Sequence, residues 1–236
     1  ANTLLTGSLS AGQVAYKAIV TSGACASVNT SNFVVTTSPI IVSKSITGTA
    51  SVCTGTNTAT LTLASGTVGT IQWQKSTDNV NWMNTGSSIA PTAATNAANT
   101  LTQTNLTQST WYRVLLTSGV CASSSTTAFK VTVYDPSVAG TISGTNVLCV
   151  PNTGSTLTLT GNTGTIAWYK ATVSGGVIGT FSVVTGQTAN TLLTGSLSAG
   201  QVAYKAIVTS GACSALSTES YVITVNPAIC LLYTSP

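Results

Sequence analysis

The sequence predicts an all-β fold made of tandem antiparallel β-sandwich domains. Three observations carry the prediction. Apolar residues alternate with Thr and Ser over short runs, the period-two pattern of half-buried strands. The chain repeats itself at an interval of about 95 residues, the size of one small sandwich. Gly, Ser and Asn cluster between the runs, where turns belong, and no segment has helical periodicity.

The repeats set the expected domain boundaries. Residues 1–25 recur unchanged at 189–213, and a divergent copy runs from Asn99-Thr100-Leu101 through Trp111-Tyr112-Arg113-Val114 to Cys121. ITGTASVCTGTNTATLTL (46–63) matches ISGTNVLCVPNTGSTLTL (142–159), and TVGTIQWQK (67–75) matches NTGTIAWYK (162–170). The expected division is the C-terminal part of a truncated repeat at 1–37, then complete repeats at 38–135 and 136–227. Short linkers fall at Thr37-Ser38-Pro39 and Tyr134-Asp135-Pro136-Ser137. Residues 228–236 match neither earlier repeat start. Their string CLLYTSP resembles a translated sequencing adapter, so the tail and its Cys230 are expected to be non-native.

Each complete repeat reads as about seven strands. Leu61 and Leu63 alternate with Thr60 and Thr62, as Leu157 and Leu159 do with Thr158 and Thr160. Ile71 with Trp73, and Ile166 with Trp168, mark the next strand. Tyr112, Val114 and Leu116 share one face of a later strand, opposite Trp111 and Arg113. Tyr204, Ala206 and Val208 do the same opposite Lys205 and Ile207. Ser118-Gly119 and Ser210-Gly211 supply turns, and Phe129–Val133 and Tyr221–Val225 close the repeats. Trp73, Trp168, Tyr112 and Tyr204 are the expected core. A ligand-stacking platform is the other reading of the two tryptophans.

Each complete repeat holds one early and one late cysteine: Cys53 with Cys121, and Cys149 with Cys213. Their separations, 68 and 64 residues, point to one disulfide within each repeat, and free thiols are the alternative. A zinc site needs clustered Cys or His, and no CxxC occurs. Cys25 is the late cysteine of a repeat whose early half is missing, so it is expected to be unpaired. Disulfides imply an oxidising, extracellular compartment.

Composition excludes several functions. The chain has seven Lys or Arg, three Asp or Glu and no His. Asp78, Asp135 and Glu219 are far apart in sequence, so acid–base catalysis lacks its paired groups, and no enzyme is expected. No cofactor or metal is expected either. The cations are scattered singly, which disfavours nucleic acid. No apolar run reaches the length of a membrane span.

Two runs carry a family resemblance: SITGTASVCTGTNTATLTLASGTVGTIQWQKSTDNVNW, and LTQSTWYRVLLTSGVCASSSTTAFKVTV. They resemble the Ig-like repeats of very large secreted or cell-surface adhesins of Bacteroidota, including gliding-motility adhesins exported by the type IX pathway. The resemblance implies a tandem Ig-like antiparallel sandwich whose partners are neighbouring repeats of the same chain. The second complete repeat departs at Ala167-Trp168-Tyr169-Lys170 and lacks the Asp-Asn turn. In antibody-type domains a Tyr lies two residues before the second Cys; here it lies nine before Cys121 and Cys213, so the disulfide is expected near one end of the sandwich.

The function expected is a stalk: a spacer segment of a long extracellular adhesin, giving reach and surface attachment. Two alternatives stand beside it. One is a carbohydrate-binding module that recognises surface polysaccharide by stacking on Trp82, Trp111 or Phe181. The other is an accessory spacer of a secreted enzyme.

Overall fold

The computed structural model describes residues 2–90 and 99–228; the expected non-native stretch with Cys230 falls outside them, apart from Ala228. The described chain is all-β. Contacts divide it into two compact units. The first holds Ala1–Ala50, Ala59–Gln103 and Ser109–Val131; the second holds Ser51–Thr58, Thr104–Gln108 and Thr132–Pro236.

In the first unit one sheet runs in the order Asn99–Thr104, Thr58–Leu63, Ile46–Gly48. The facing sheet runs Phe129–Tyr134, Thr110–Ser118, Thr70–Ser76, Met83–Asn84, with Cys121–Ser125 also on Thr110–Ser118. This order is that of an Ig-like sandwich. The alternation in the sequence becomes an alternation of burial. Leu61, Leu63, Ile71, Trp73, Tyr112, Val114 and Leu116 are buried between the sheets, while Thr60 is exposed and Trp111, Arg113 and Leu115 are half-buried. The Trp73 indole N–H donates to Asn99 Oδ1, joining one sheet to the other.

The second unit repeats the plan. Its smaller sheet is Thr141–Ser143, Thr156–Thr160, Thr191–Leu193. Its larger sheet runs Val147–Cys149, Tyr221–Asn226, Gly200–Thr209, Thr165–Ser174, Val177–Ile178. Leu157, Leu159, Trp168, Leu192, Tyr204, Ala206, Val208 and Ile223 form one buried cluster. The Trp168 indole donates to Ala189 O at 2.9 Å. Burial raises the phenol pKa of both Tyr112 and Tyr204 above the ordinary value, with the Thr110 hydroxyl opposing it at Tyr112.

Two of the strand pairings among the described residues are parallel. Ser51–Cys53 runs parallel to Thr132–Tyr134, placing Cys53 beside Tyr134. Val147–Cys149 runs parallel to the end of Tyr221–Asn226, placing Cys149 beside Asn226. The chain thus crosses from the smaller sheet to the edge of the larger one just before each early cysteine.

Residues 1–37 form two small ladders, Gly12–Tyr16 with Phe33–Thr37 and Ile19–Val20 with Val28–Asn29. Identical sequence has opposite burial here. Leu4 is 71% exposed and its copy Leu192 is 1%; Val20 is 60% and its copy Val208 is 0%. Propensity is equal at the two copies, so what differs is the sheet that covers them. In the second unit that cover comes from Leu157, Ile166 and Trp168.

Candidate functional site: the cysteine-bearing turns

Each late cysteine rides on a Ser-Gly turn. Cys213 N–H donates to Ser210 O at 2.8 Å, and Cys25 N–H to Ser22 O at 3.0 Å. Gly211 (φ +50°), Gly119 (φ +49°) and Gly23 (φ +55°) all lie in the left-handed region. Glycine enters that region at little cost. At Gly211 space matters as well, because a Cβ would overlap the Tyr134 ring. At Gly119 it would overlap the Ser38 hydroxyl.

The turns therefore rest on the segments where one repeat passes into the next. Cys213 Sγ lies 3.2 Å from Asp135 O and 3.7 Å from Tyr134 O. Cys121 Sγ lies 3.8 Å from Pro39 O, and Ser118 Oγ donates to the same carbonyl at 2.7 Å. Ser38-Pro39 and Tyr134-Asp135 occupy the same place in the repeat, where the final strand ends.

One disulfide follows from this placement. Cys53 is bonded to Cys213, with Cα atoms 4.8 Å apart and a sequence separation of 160. Both lie in the second compact unit, although they belong to different sequence repeats. Cys25, Cys121 and Cys149 are free and exposed.

The expected pairings, Cys53 with Cys121 and Cys149 with Cys213, are therefore corrected. The reason is visible within the second unit. Cys149 sits beside Asn226, and the neighbouring Val225 pairs with Gly200. From Gly200 the strand runs away to Thr209 before the turn that carries Cys213. Strand rise makes that about 30 Å, against a Cα separation of roughly 7 Å at most for a disulfide. Similar sequence separation of the two cysteines carried no information about which end of the sandwich each one reaches.

An asparagine clamps the loop after each early cysteine. Asn57 Nδ2 donates to Cys53 O at 2.9 Å and Leu106 O at 2.8 Å, while Asn57 Oδ1 accepts from Leu106 N–H at 2.9 Å. Asn152 does the same with Leu197, at 2.8 and 3.0 Å. A threonine recurs likewise. Thr30, Thr126 and Thr218 accept through Oγ1 from the N–H of Ala18, Val114 and Ala206 at 2.9, 3.0 and 3.0 Å. Sequence reading missed both, though the clamp had a signal: each early cysteine is followed within four residues by an Asn.

The three aromatics considered for sugar stacking are each half-buried under a cation. Arg113 lies over Trp82 at 4.2 Å, Lys130 over Trp111 at 4.5 Å and Lys205 over Phe181 at 4.4 Å. The covered face of each ring is not open to a sugar. Arg113 is held in place by Gln74 Oε1 at 2.9 Å, and Gln74 by Asn84 at 3.0 Å. Among the described residues no group of three His, Cys, Asp or Glu is placed to hold a metal ion. Among them, too, no helix is long and apolar enough to cross a membrane.

A family model described as Domain of unknown function (DUF8696) matches the chain twice, over residues 42–135 and 138–227. No curated protein matches. Among solved structures, an ICAM-5 D1-D4 ectodomain fragment is similar at 11% identity and a TM-score of 0.46, covering 92% of this chain and 62% of that one. The chicken CNTN1 FN1-FN3 domains are similar at 13% identity and a TM-score of 0.35, covering 79% and 65%. Fibronectin(III)-like modules of Clostridium thermocellum CbhA are similar at 10% identity and a TM-score of 0.35, covering 78% and 95%. This chain thus spans less than two thirds of the ICAM-5 and CNTN1 fragments.

Proposed function

We propose that this chain, which belongs to the DUF8696 family, is a spacer segment of a long extracellular repeat adhesin, giving reach between a cell surface and whatever lies at the far end. One observation carries the reading: the Cys53–Cys213 bond joins one sequence repeat covalently to the next. A bond in that place transmits tension past the residues it encloses. It also belongs in an oxidising compartment, which supports an extracellular location. The charge-poor, Thr-rich exterior supports a passive surface, and the three capped aromatic rings support a spacer over a sugar reader.

Single-molecule pulling from the two ends tests the reading. The bond keeps its 160-residue loop out of the load path. Adding reductant should lengthen the fully extended chain by roughly 500–600 Å, at about 3.3–3.6 Å per residue. Equal extension with and without reductant would remove the bond from the load path, and the spacer reading with it.

A further inference from the structure

We infer that Cys121 and Cys149 are linking sites of the same kind as the Cys53–Cys213 bond, each made to pair with a cysteine of an adjoining repeat. The partner is a further copy of this repeat type: an early cysteine for Cys121, a late one for Cys149. The inference stands on the bond geometry and does not rest on the adhesin reading.

The sequence at the final strands aligns 33–39 with 129–135 and 221–227, so that Ser38, Tyr134 and Asn226 correspond. Cys53 lies in register beside Tyr134. Cys213 reaches the same place from the following repeat, with its sulfur against the Tyr134 and Asp135 carbonyls. Early and late cysteines meet at the end of a final strand.

Each free thiol holds one half of that arrangement. Cys149 lies in register beside Asn226, as Cys53 does beside Tyr134. Val150 N–H donates to Asn226 O, as Thr54 N–H donates to Tyr134 O. The place that Cys213 takes at Tyr134 is the place a late cysteine would take at Asn226. Cys121 holds the other half, with its sulfur against Pro39 and its turn glycine against Ser38. There an early cysteine of the repeat ending at residues 33–39 would sit. Both thiols are exposed.

Each link forms by thiol–disulfide exchange. Two thiols lose two protons and two electrons, a disulfide oxidant such as oxidised glutathione accepts them, and it leaves as two thiols. The result in a longer array is one covalent link per junction between repeats.

Two extended chains test this. In one, a copy of residues 136–188 is joined ahead of Ala1; since residues 1–25 repeat 189–213, this completes a repeat and adds an early cysteine. In the other, a copy of residues 136–227 follows Pro227 and adds an early and a late cysteine. Both are oxidised with glutathione, alkylated and mapped without reduction. In the first, Cys121 should link to the added early cysteine and its alkylation should fall about tenfold or more; in the second, Cys149 should do the same with the added late cysteine. Slowed amide exchange at Leu4 and Val20 reports folding of the completed repeat independently. Persistent full alkylation of Cys121 in a protected repeat, or of Cys149 in the second chain, overturns the inference. So does a bond from Cys149 to Cys213.

Discussion

The Cys213 sulfur lies 3.2 Å from the Asp135 carbonyl, in the segment that follows the final strand beside Cys53. The bond between the two cysteines is a consequence of that seat. The turn carrying Cys213 packs its glycine on the Tyr134 ring, and Tyr134 is the residue in register with Cys53.

Removing the bond should destabilise the chain. It closes a loop of 160 residues, worth about 5 kcal/mol in the chain-entropy model. Cys53→Ala and Cys213→Ala should each lose roughly 2–5 kcal/mol, and the double variant no more than either single one. Denaturant unfolding of the three oxidised variants checks this. Additive losses would show that the two residues do not act as a pair.

The seat itself can be tested at glycine. Gly211→Ala meets both a left-handed backbone (φ +50°) and the Tyr134 ring, whereas Gly175→Ala meets a left-handed backbone (φ +57°) with open space around it. Backbone strain alone costs roughly 1–2 kcal/mol. Gly211→Ala should cost more than Gly175→Ala and slow formation of the Cys53–Cys213 bond. Unfolding midpoints and quantitative thiol labelling separate the two effects.

The asparagine clamps should hold the loops beside the early cysteines. Asn57→Ala strips bonding partners from Leu106, and Asn152→Ala from Leu197. Each should cost about 1–3 kcal/mol. Amide exchange should quicken at Leu106 in the first variant and at Leu197 in the second, with little change at the other site.

Much of the fold was legible in the sequence, and the reason is local. Leu61, Leu63, Tyr112, Val114 and Leu116 alternate with polar or half-buried neighbours, and strand geometry converts that alternation directly into buried and more open faces. The crossing at Ser51–Cys53 was not legible. A strand that leaves one sheet for the edge of the other changes its neighbours without changing its residue pattern. The cysteine partners depend on that crossing, and so the sulfur chemistry was misread while the strands around it were read. The cations over Trp82, Trp111 and Phe181 were hidden for a related reason: only Trp111 and Lys130 are direct cross-strand partners.

The aromatic rings should behave as packed surface. Trp82→Ala, Trp111→Ala and Phe181→Ala should each lose about 0.5–1 kcal/mol from the cation contact, in addition to lost packing. A polysaccharide pull-down should show no binding that disappears in Trp82→Ala. Retention that the variant abolishes would restore the sugar-reading alternative.

Acid should act through Asp78. Its carboxylate accepts from Val80 N–H at 2.9 Å, from the Asn81 side-chain and backbone N–H at 2.6 and 2.8 Å, and from the Ser76 hydroxyl at 2.8 Å. These donors hold its pKa far below the ordinary carboxylate value, with the Val80 N–H contributing most. A depressed folded pKa means stability that is present above the unfolded value of about 3.9 and is lost as pH falls below it. The chain has no His to add a transition near neutrality. Melting temperature should be flat between about pH 5 and 7 and fall below about pH 4, and Asp78→Asn should shrink that fall. An unchanged acid limb in the variant would assign it elsewhere.

The most direct measurement is peptide mapping of the oxidised chain, alkylated at low pH and digested without reductant. Among the described cysteines the structure predicts one linked pair, Cys53 with Cys213, and alkylated Cys25, Cys121 and Cys149. A link from Cys53 to Cys121, or from Cys149 to Cys213, would confine the bonds to single repeats and contradict the account.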